Sequence, residues 1–183
     1  MTREQALELL KEYTQSESLL KHAYAVEAAM RAYAEKFGED VERWGITGLL
    51  HDFDYEKYPD NHPWEGNKIL NEKNIDEDIR NAIMGHAAFT NTPRETLMAK
   101  TLFAVDELCG FITAVTLVRP NKALSEVHVK SVKKKMKDKA FAAKVNRDEI
   151  RQGAEELGVD FDEHVAFVVN ALSGIADSLG LNK

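Results

Sequence analysis

Apolar residues recur at intervals of three and four along most of this chain, the spacing of helices that bury one face. Leu19, Ala23, Val26 and Met30 form one such stripe in a stretch from about 17 to 37, and Gly38 is placed to end it. His22 lies on the same face. Ahead of it, Thr2-x-x-Gln5 has the form of a capping box, a hydroxyl and an amide that satisfy each other's backbone donors, and predicts a helix to about Tyr13. Asp40 is the expected cap of a third helix, on which Trp44, Gly48 and His51 share a face. The segment 55–61 reads as a loop, and a fourth helix is expected near His62 with Pro63 in its first turn, where a missing amide costs nothing. Asp76 should cap a fifth helix bearing Ile79, Ile83 and His86, and Thr92-Pro93 should open a sixth with Leu102, Val105 and Cys109 inward and Asp106 alongside. Asp148 is the expected cap of a later helix, and a last one is expected over about 161–181. Proline is scarce, and no internal repeat or low-complexity linker interrupts the pattern. The fold class predicted is all-α.

Composition narrows the setting. A chain of 183 residues with 44% hydrophobic and 30% charged residues suits one soluble domain, or a domain with a helical appendage. The first ten residues carry acids where an export signal has a basic end and an apolar run. Near the C-terminus the apolar stretches are broken by Asn170, Ser173 and Asp177, short of a membrane span. A cytoplasmic protein with no membrane partner is expected. The net charge of -7 argues against a nucleic-acid partner held by overall charge. The single cysteine, Cys109, excludes an intrachain disulfide, and reads as a small core residue more than as a nucleophile.

One segment departs from the acidic mean. Lys130, Lys133, Lys134, Lys135, Lys137 and Lys139 lie within ten residues, with Val129, Val132, Met136 and Ala140 at helical spacing on the other side. An amphipathic helix with a basic face is expected there. Its face can be merely solvated, can hold a phosphate, or can meet an acidic partner. Arg119, Lys130 and Arg147 are the nominated phosphate binders, since arginine offers an oxyanion a fork and lysine a point charge.

The chemistry centres on Ile46-Thr-Gly-Leu-Leu-His51-Asp52-Phe-Asp54. An imidazole or carboxylate on the core side of a helix needs a partner, because a buried unpaired polar group costs roughly 1–3 kcal/mol. His22, His86 or Asp106 taken singly would each read as an ordinary satisfied residue. Together with His51, Asp52 and His62 they come from five helices, and a shared divalent cation would compensate all of them at once. Imidazole and carboxylate without thiolate suit one or two ions of Mn, Fe, Co, Ni or Zn. Of the six, His62 has the strongest rival role, as a capping or surface histidine beside Pro63. Asp54 and Glu56 are candidates to orient a water or accept its proton, with hydrogen bonds behind the ligands as the plainer role. His128 and His164 fall outside the pattern and read as surface or packing residues.

The order His22, His51-Asp52, His62 within His-Pro-Trp-Glu-Gly66, His86 and Asp106 resembles the HD superfamily of metal-dependent phosphohydrolases, in its binuclear HDIG-like branch, over roughly residues 15–120. Phe53-Asp54 stand where that branch has Ile-Gly, and no Gly-Tyr-Pro follows His86, so cleavage of cyclic dinucleotides is not implied. The resemblance implies an HD-type helical bundle over 1–120, with residues 121–183 as a helical extension packed on it. It places His22, His51, Asp52 and Asp106 around a first metal and His62 and His86 around a second, with Asp52 bridging. Asp52 and Asp54 are the expected catalytic carboxylates.

The function expected is hydrolysis of a small phosphate ester, of the nucleotide or metabolite kind, by metal-activated water. Two rivals come from other classes. Di-iron oxygenases use a similar ligand set, and a non-catalytic metal-binding regulatory module would keep the fold without turnover. The sequence mark of the latter, a damaged ligand set, is absent.

Overall fold

The structure is a computed structural model and describes residues 1–182. Among them are ten α-helices and no β-strand, as the all-α pattern predicts. The chain divides into two compact units, Met1–Phe103 and the residues from Ala104 onward.

The first unit opens with α1 (Arg3–Tyr13), whose capping box is formed: Gln5 N donates to Thr2 Oγ1 at 3.3 Å and Thr2 N to Gln5 Oε1 at 2.9 Å. The next helix, α2 (Glu17–Phe37), ends at Gly38, which adopts φ 70°. Then comes α3 (Val41–Leu50), capped by Asp40, which accepts from Arg43 N at 3.0 Å. Helices α2 and α3 approach closely at Gly48. A Cβ there would lie 3.0 Å from the Val26 carbonyl and 3.1 Å from Glu27 Cα, so only glycine allows this spacing. One turn further along α3 is His51, and one turn back along α2 is His22, so the antiparallel contact delivers both histidines to one place.

Ala23, Val26, Ala29, Met30 and Tyr33 of α2 are buried together with Leu9, Leu10, Leu49, Leu50 and Phe53. Burying each large side chain contributes on the order of 1.5–3 kcal/mol. A charge remote from the histidines is also taken into this core. Glu27, 4% exposed, accepts from Arg3 Nε at 2.6 Å and Arg31 Nε at 3.0 Å, and Arg31 reaches Glu42 at 2.5 Å, which ties α1, α2 and α3.

Further on are α4 (Trp64–Glu72) and α5 (Glu77–His86). Asp76 stands at the start of α5 as expected but makes no side-chain cap, because its carboxylate pairs with Arg43 at 2.5 Å. The sixth helix, α6 (Leu97–Leu117), begins later than Thr92-Pro93 suggests. Thr96 supplies the capping hydroxyl, accepting from Ala99 N at 3.1 Å, while Thr92 bonds to Thr90 in the preceding loop. The division between the units falls inside α6.

The second unit holds the rest of α6 with α7 (Val129–Met136), α8 (Arg147–Leu157), α9 (Phe161–Ser173) and α10 (Ala176–Leu179). Leu108, Phe111, Ile112, Val115, Val132, Ile150, Val165, Val168 and Leu172 are among its buried apolar residues. Three expectations need correction here. The basic helix stops at Met136, so Lys137, Lys139 and an exposed Ala140 lie beyond it. Asn146, not Asp148, caps α8, its side chain accepting from the amides of Asp148 and Glu149 at 3.1 and 3.2 Å. The last predicted helix is two, separated at Gly174.

The early stop of α7 has a visible cause in Arg147. Its guanidinium donates to the carbonyls of Met136 (3.1 Å), Asp138 (2.9 Å), Phe141, Ala142 (3.3 Å) and Val145 (3.3 Å), and it lies over the Phe111 ring at 5.0 Å. The backbone between α7 and α8 is thereby gathered around one cation. No helix among the described residues is long and apolar enough to cross a membrane.

Candidate metal centre

Asp52 follows the last turn of α3, and its carboxylate faces four imidazoles. Oδ2 lies 3.3 Å from His51 Nε2 and 3.9 Å from His22 Nε2, while Oδ1 lies 3.1 Å from His86 Nε2 and 3.2 Å from His62 Nε2. The two oxygens thus address two different pairs of rings. His22, on α2, and His51 approach Nε2 to Nε2 at 3.3 Å, and the His62 and His86 ring centroids are 5.3 Å apart. Within each set the potential ligand atoms lie within 4.8 Å of one another.

The far side of each ring explains its orientation. His51 Nδ1 donates to the Gly48 carbonyl at 2.7 Å, and His86 Nδ1 donates to the Ile83 carbonyl, each three residues back on its own helix. A carbonyl can only accept, so the Nδ1 nitrogens carry the protons and the neutral rings present Nε2 lone pairs toward Asp52. His62 is held differently. Its Nδ1 lies 2.6 Å from Asp54 Oδ1, and Asp54 Oδ2 accepts from Gly66 N at 2.7 Å. Asp54 is 1% exposed, packed so that a Cβ on Gly66 would stand 2.7 Å from its carboxyl carbon. The spacing of His62 and Gly66 is therefore that of two groups clamping one carboxylate.

This arrangement fits a divalent cation. His51 is fully buried and His62 and His86 nearly so, yet their Nε2 atoms and the Asp52 oxygens are all acceptors when the rings are neutral. Acceptors packed this closely require a positive charge among them, a proton or a metal ion. The charge balance agrees. Burial would push the Asp52 carboxyl up, but the imidazoles when protonated, His51 above all and then His62 and His86, hold it well below the usual carboxylate range. Burial likewise lowers His62, and its bonds to Asp52 and Asp54 outweigh that and raise it to about 9. The set of imidazoles and carboxylate, with no thiolate, is that of a borderline first-row metal.

Five of the expected ligands, His22, His51, Asp52, His62 and His86, are thus brought together in the first unit. Asp106 belongs to the second, half-buried on α6 three residues past the division. It shares that stretch with Cys109, whose thiol is pushed well above its ordinary range by burial and by the Asp106 charge, which makes it a core residue and a poor nucleophile. Glu56 is exposed and accepts from the amides of Gln15 and Ser16 at 2.8 and 3.0 Å, which anchors the α1–α2 connection.

The nominated phosphate binders lie in the second unit. Lys130 is exposed in the first turn of α7. Arg147 has all five N–H donors engaged by backbone carbonyls and none left for an anion, so its role is structural. Arg119, just after α6, keeps a buried Nε with no hydrogen-bond partner. His164, read from sequence as surface or packing, is buried, with Nε2 donating to the Ala104 carbonyl at 2.9 Å, and His128 is exposed ahead of α7. Sequence reasoning missed the Gly48 and Ile83 carbonyls as orienters, although each lies one turn before its histidine.

The model of the HD domain family matches residues 19–110, half of the 183-residue chain. The chain belongs to that family, most of whose members are metal-dependent phosphohydrolases. Comparison with curated proteins and with solved structures gave no match.

Proposed function

We propose that this protein is a binuclear, metal-dependent phosphohydrolase of the HDIG-like kind, acting on a small phosphate ester. The observation that carries the reading is the division of Asp52, with one oxygen toward His22 and His51 and the other toward His62 and His86. In a single-ion site the second pair would instead be left to meet the substrate phosphate. By the family resemblance, Asp106 joins His22, His51 and Asp52 around the first ion. When bound, divalent ions polarise phosphoryl oxygens and acidify water toward neutrality.

The chain's own residues supply position and charge. Asp52 holds the two halves at a fixed separation, and the Gly48 and Ile83 carbonyls set the ring tautomers. Asp54 acts as a positioning residue for His62, since both its oxygens are engaged. Of the three nominated phosphate binders, Arg147 is fully engaged by backbone carbonyls, which leaves Arg119 and Lys130 as the candidates for the substrate.

The test is elemental analysis of protein purified without added metal, followed by release of inorganic phosphate from a panel of monoesters and diesters with Mn, Fe, Co, Ni, Zn or Mg. Two equivalents of metal and turnover of at least one ester are expected. Saturation at one equivalent would remove the binuclear reading. Iron together with oxygen uptake and no phosphate release would transfer the protein to the oxygenases.

A further inference from the structure

Three large aromatic rings near the site stand in solvent, Tyr55 and Trp64 at 45% and Phe89 at 61% exposure; Tyr55 packs edge-on against His62 at 5.5 Å, and the other two pair with each other. They are not scattered. Trp64 begins α4 two residues after His62, and Phe89 lies in a 3-10 turn three residues after His86. Their ring centroids meet at 5.4 Å with planes at 53°, and the His62 and His86 rings of the same two segments meet at 5.3 Å. Each of two adjacent backbone segments therefore gives one imidazole facing Asp52 and one aromatic ring open to water. The chain bounds the reach, since two residues span at most about 7 Å and three at most about 11 Å.

We propose that Trp64 and Phe89 form a stacking platform for the planar base of a nucleotide substrate whose phosphate lies at the Asp52 centre. This rests on the phosphohydrolase reading for the position of the phosphate. The platform itself rests on the paired, exposed rings. An aromatic face binds any nucleobase by stacking, because every base has a π-surface. A purely aliphatic phosphate ester would leave this platform uncovered. Placing the rings on the segments that carry His62 and His86 couples recognition of the base to the half of the site those histidines build.

Zinc-loaded protein is titrated with adenosine 5′-monophosphate and, separately, with ribose 5-phosphate, which lacks the base, while tryptophan fluorescence is followed. The chain has two tryptophans, and Trp44 is only 3% exposed, so quenching reports Trp64. Quenching by the nucleotide but not by the sugar phosphate is expected. By equilibrium dialysis, Trp64→Ala should raise the Kd for the nucleotide roughly ten-fold, with metal content as in wild type, and Trp64→Phe should restore most of the affinity. Phe89→Ala should weaken binding in the same direction. Equal affinity for the two ligands, or a nucleotide Kd unchanged in Trp64→Ala, would overturn the platform. So would a concentration-dependent increase in mass that disappears in Trp64→Ala, which would make the pair a contact between copies. Base-dependent quenching with no phosphate release under any ion would instead sink the hydrolase reading and leave the platform standing.

Discussion

Asp54 and His62 are joined at 2.6 Å between Oδ1 and Nδ1, eight residues apart in sequence and both buried. The bond turns the imidazole so that Nε2 faces Asp52, and it sets a carboxylate behind a candidate ligand. Such partners fix ring orientation and raise ligand basicity, and their loss typically lowers metal affinity by roughly 10–100-fold.

Asp54→Asn should therefore weaken the ion held by His62 and His86 by about that factor, and leave the ion held by His22 and His51 in place. Titration against a competing chelator resolves the two steps. Gly66→Ala should act in the same direction, because its Cβ would meet the Asp54 carboxyl carbon at 2.7 Å. Unaltered second-step affinity in both variants would disprove the positioning role.

Asp52→Ala should remove both ions and all turnover, since its two oxygens serve both halves of the site. Far-UV circular dichroism should still report a helical protein. Metal content equal to wild type would refute the site assignment outright.

Acidity should act on the His62 half of the site. With His62 raised from 6.5 to about 9 in the metal-free protein, the ring holds a proton at neutral pH that a metal must displace. Affinity at that half should rise roughly tenfold per pH unit and level off near 9. Stability of the metal-free protein should run the other way. A raised folded-state value contributes stability that is complete below 6.5 and is lost as pH climbs through about 9. Thermal melts with chelator and with zinc across that window should diverge, and parallel curves would contradict the linkage.

Glu27 offers a control remote from the ligands. Glu27→Gln keeps the shape but removes the charge shared by Arg3 and Arg31, and should lower stability by about 1–3 kcal/mol. Urea denaturation measures it. Bound metal should remain at the wild-type level, and loss of metal would show that α2 had shifted.

The helical period and the end signals made the first unit legible. Thr2-x-x-Gln5, Asp40 and Gly38 mark ends that backbone donors and a left-handed residue require, and they stand where the structure has them. Polar side chains on apolar helix faces marked His22, His51 and His86. Elsewhere the local signal was ambiguous between neighbours of the same chemistry. Thr96 and Asn146 won the caps from Thr92 and Asp148, and only the hydrogen bonds decide such contests. The end of α7 was illegible for another reason, because its cause, Arg147, lies eleven residues after Met136 in sequence. For Asp54 the sequence left two roles open, a proton acceptor or a partner behind the ligands, and its oxygens lie against His62 Nδ1 and Gly66 N.

Arg147 also has a dynamic consequence. The residues between α7 and α8 have turns of their own but no helix, and five of the carbonyls from Met136 to Val145 converge on one guanidinium. Segments tied to a common anchor open together and not residue by residue. Hydrogen exchange across 137–146 should accordingly follow a single opening free energy, and that segment should behave as one cooperative element latched by a side chain at the start of the next helix.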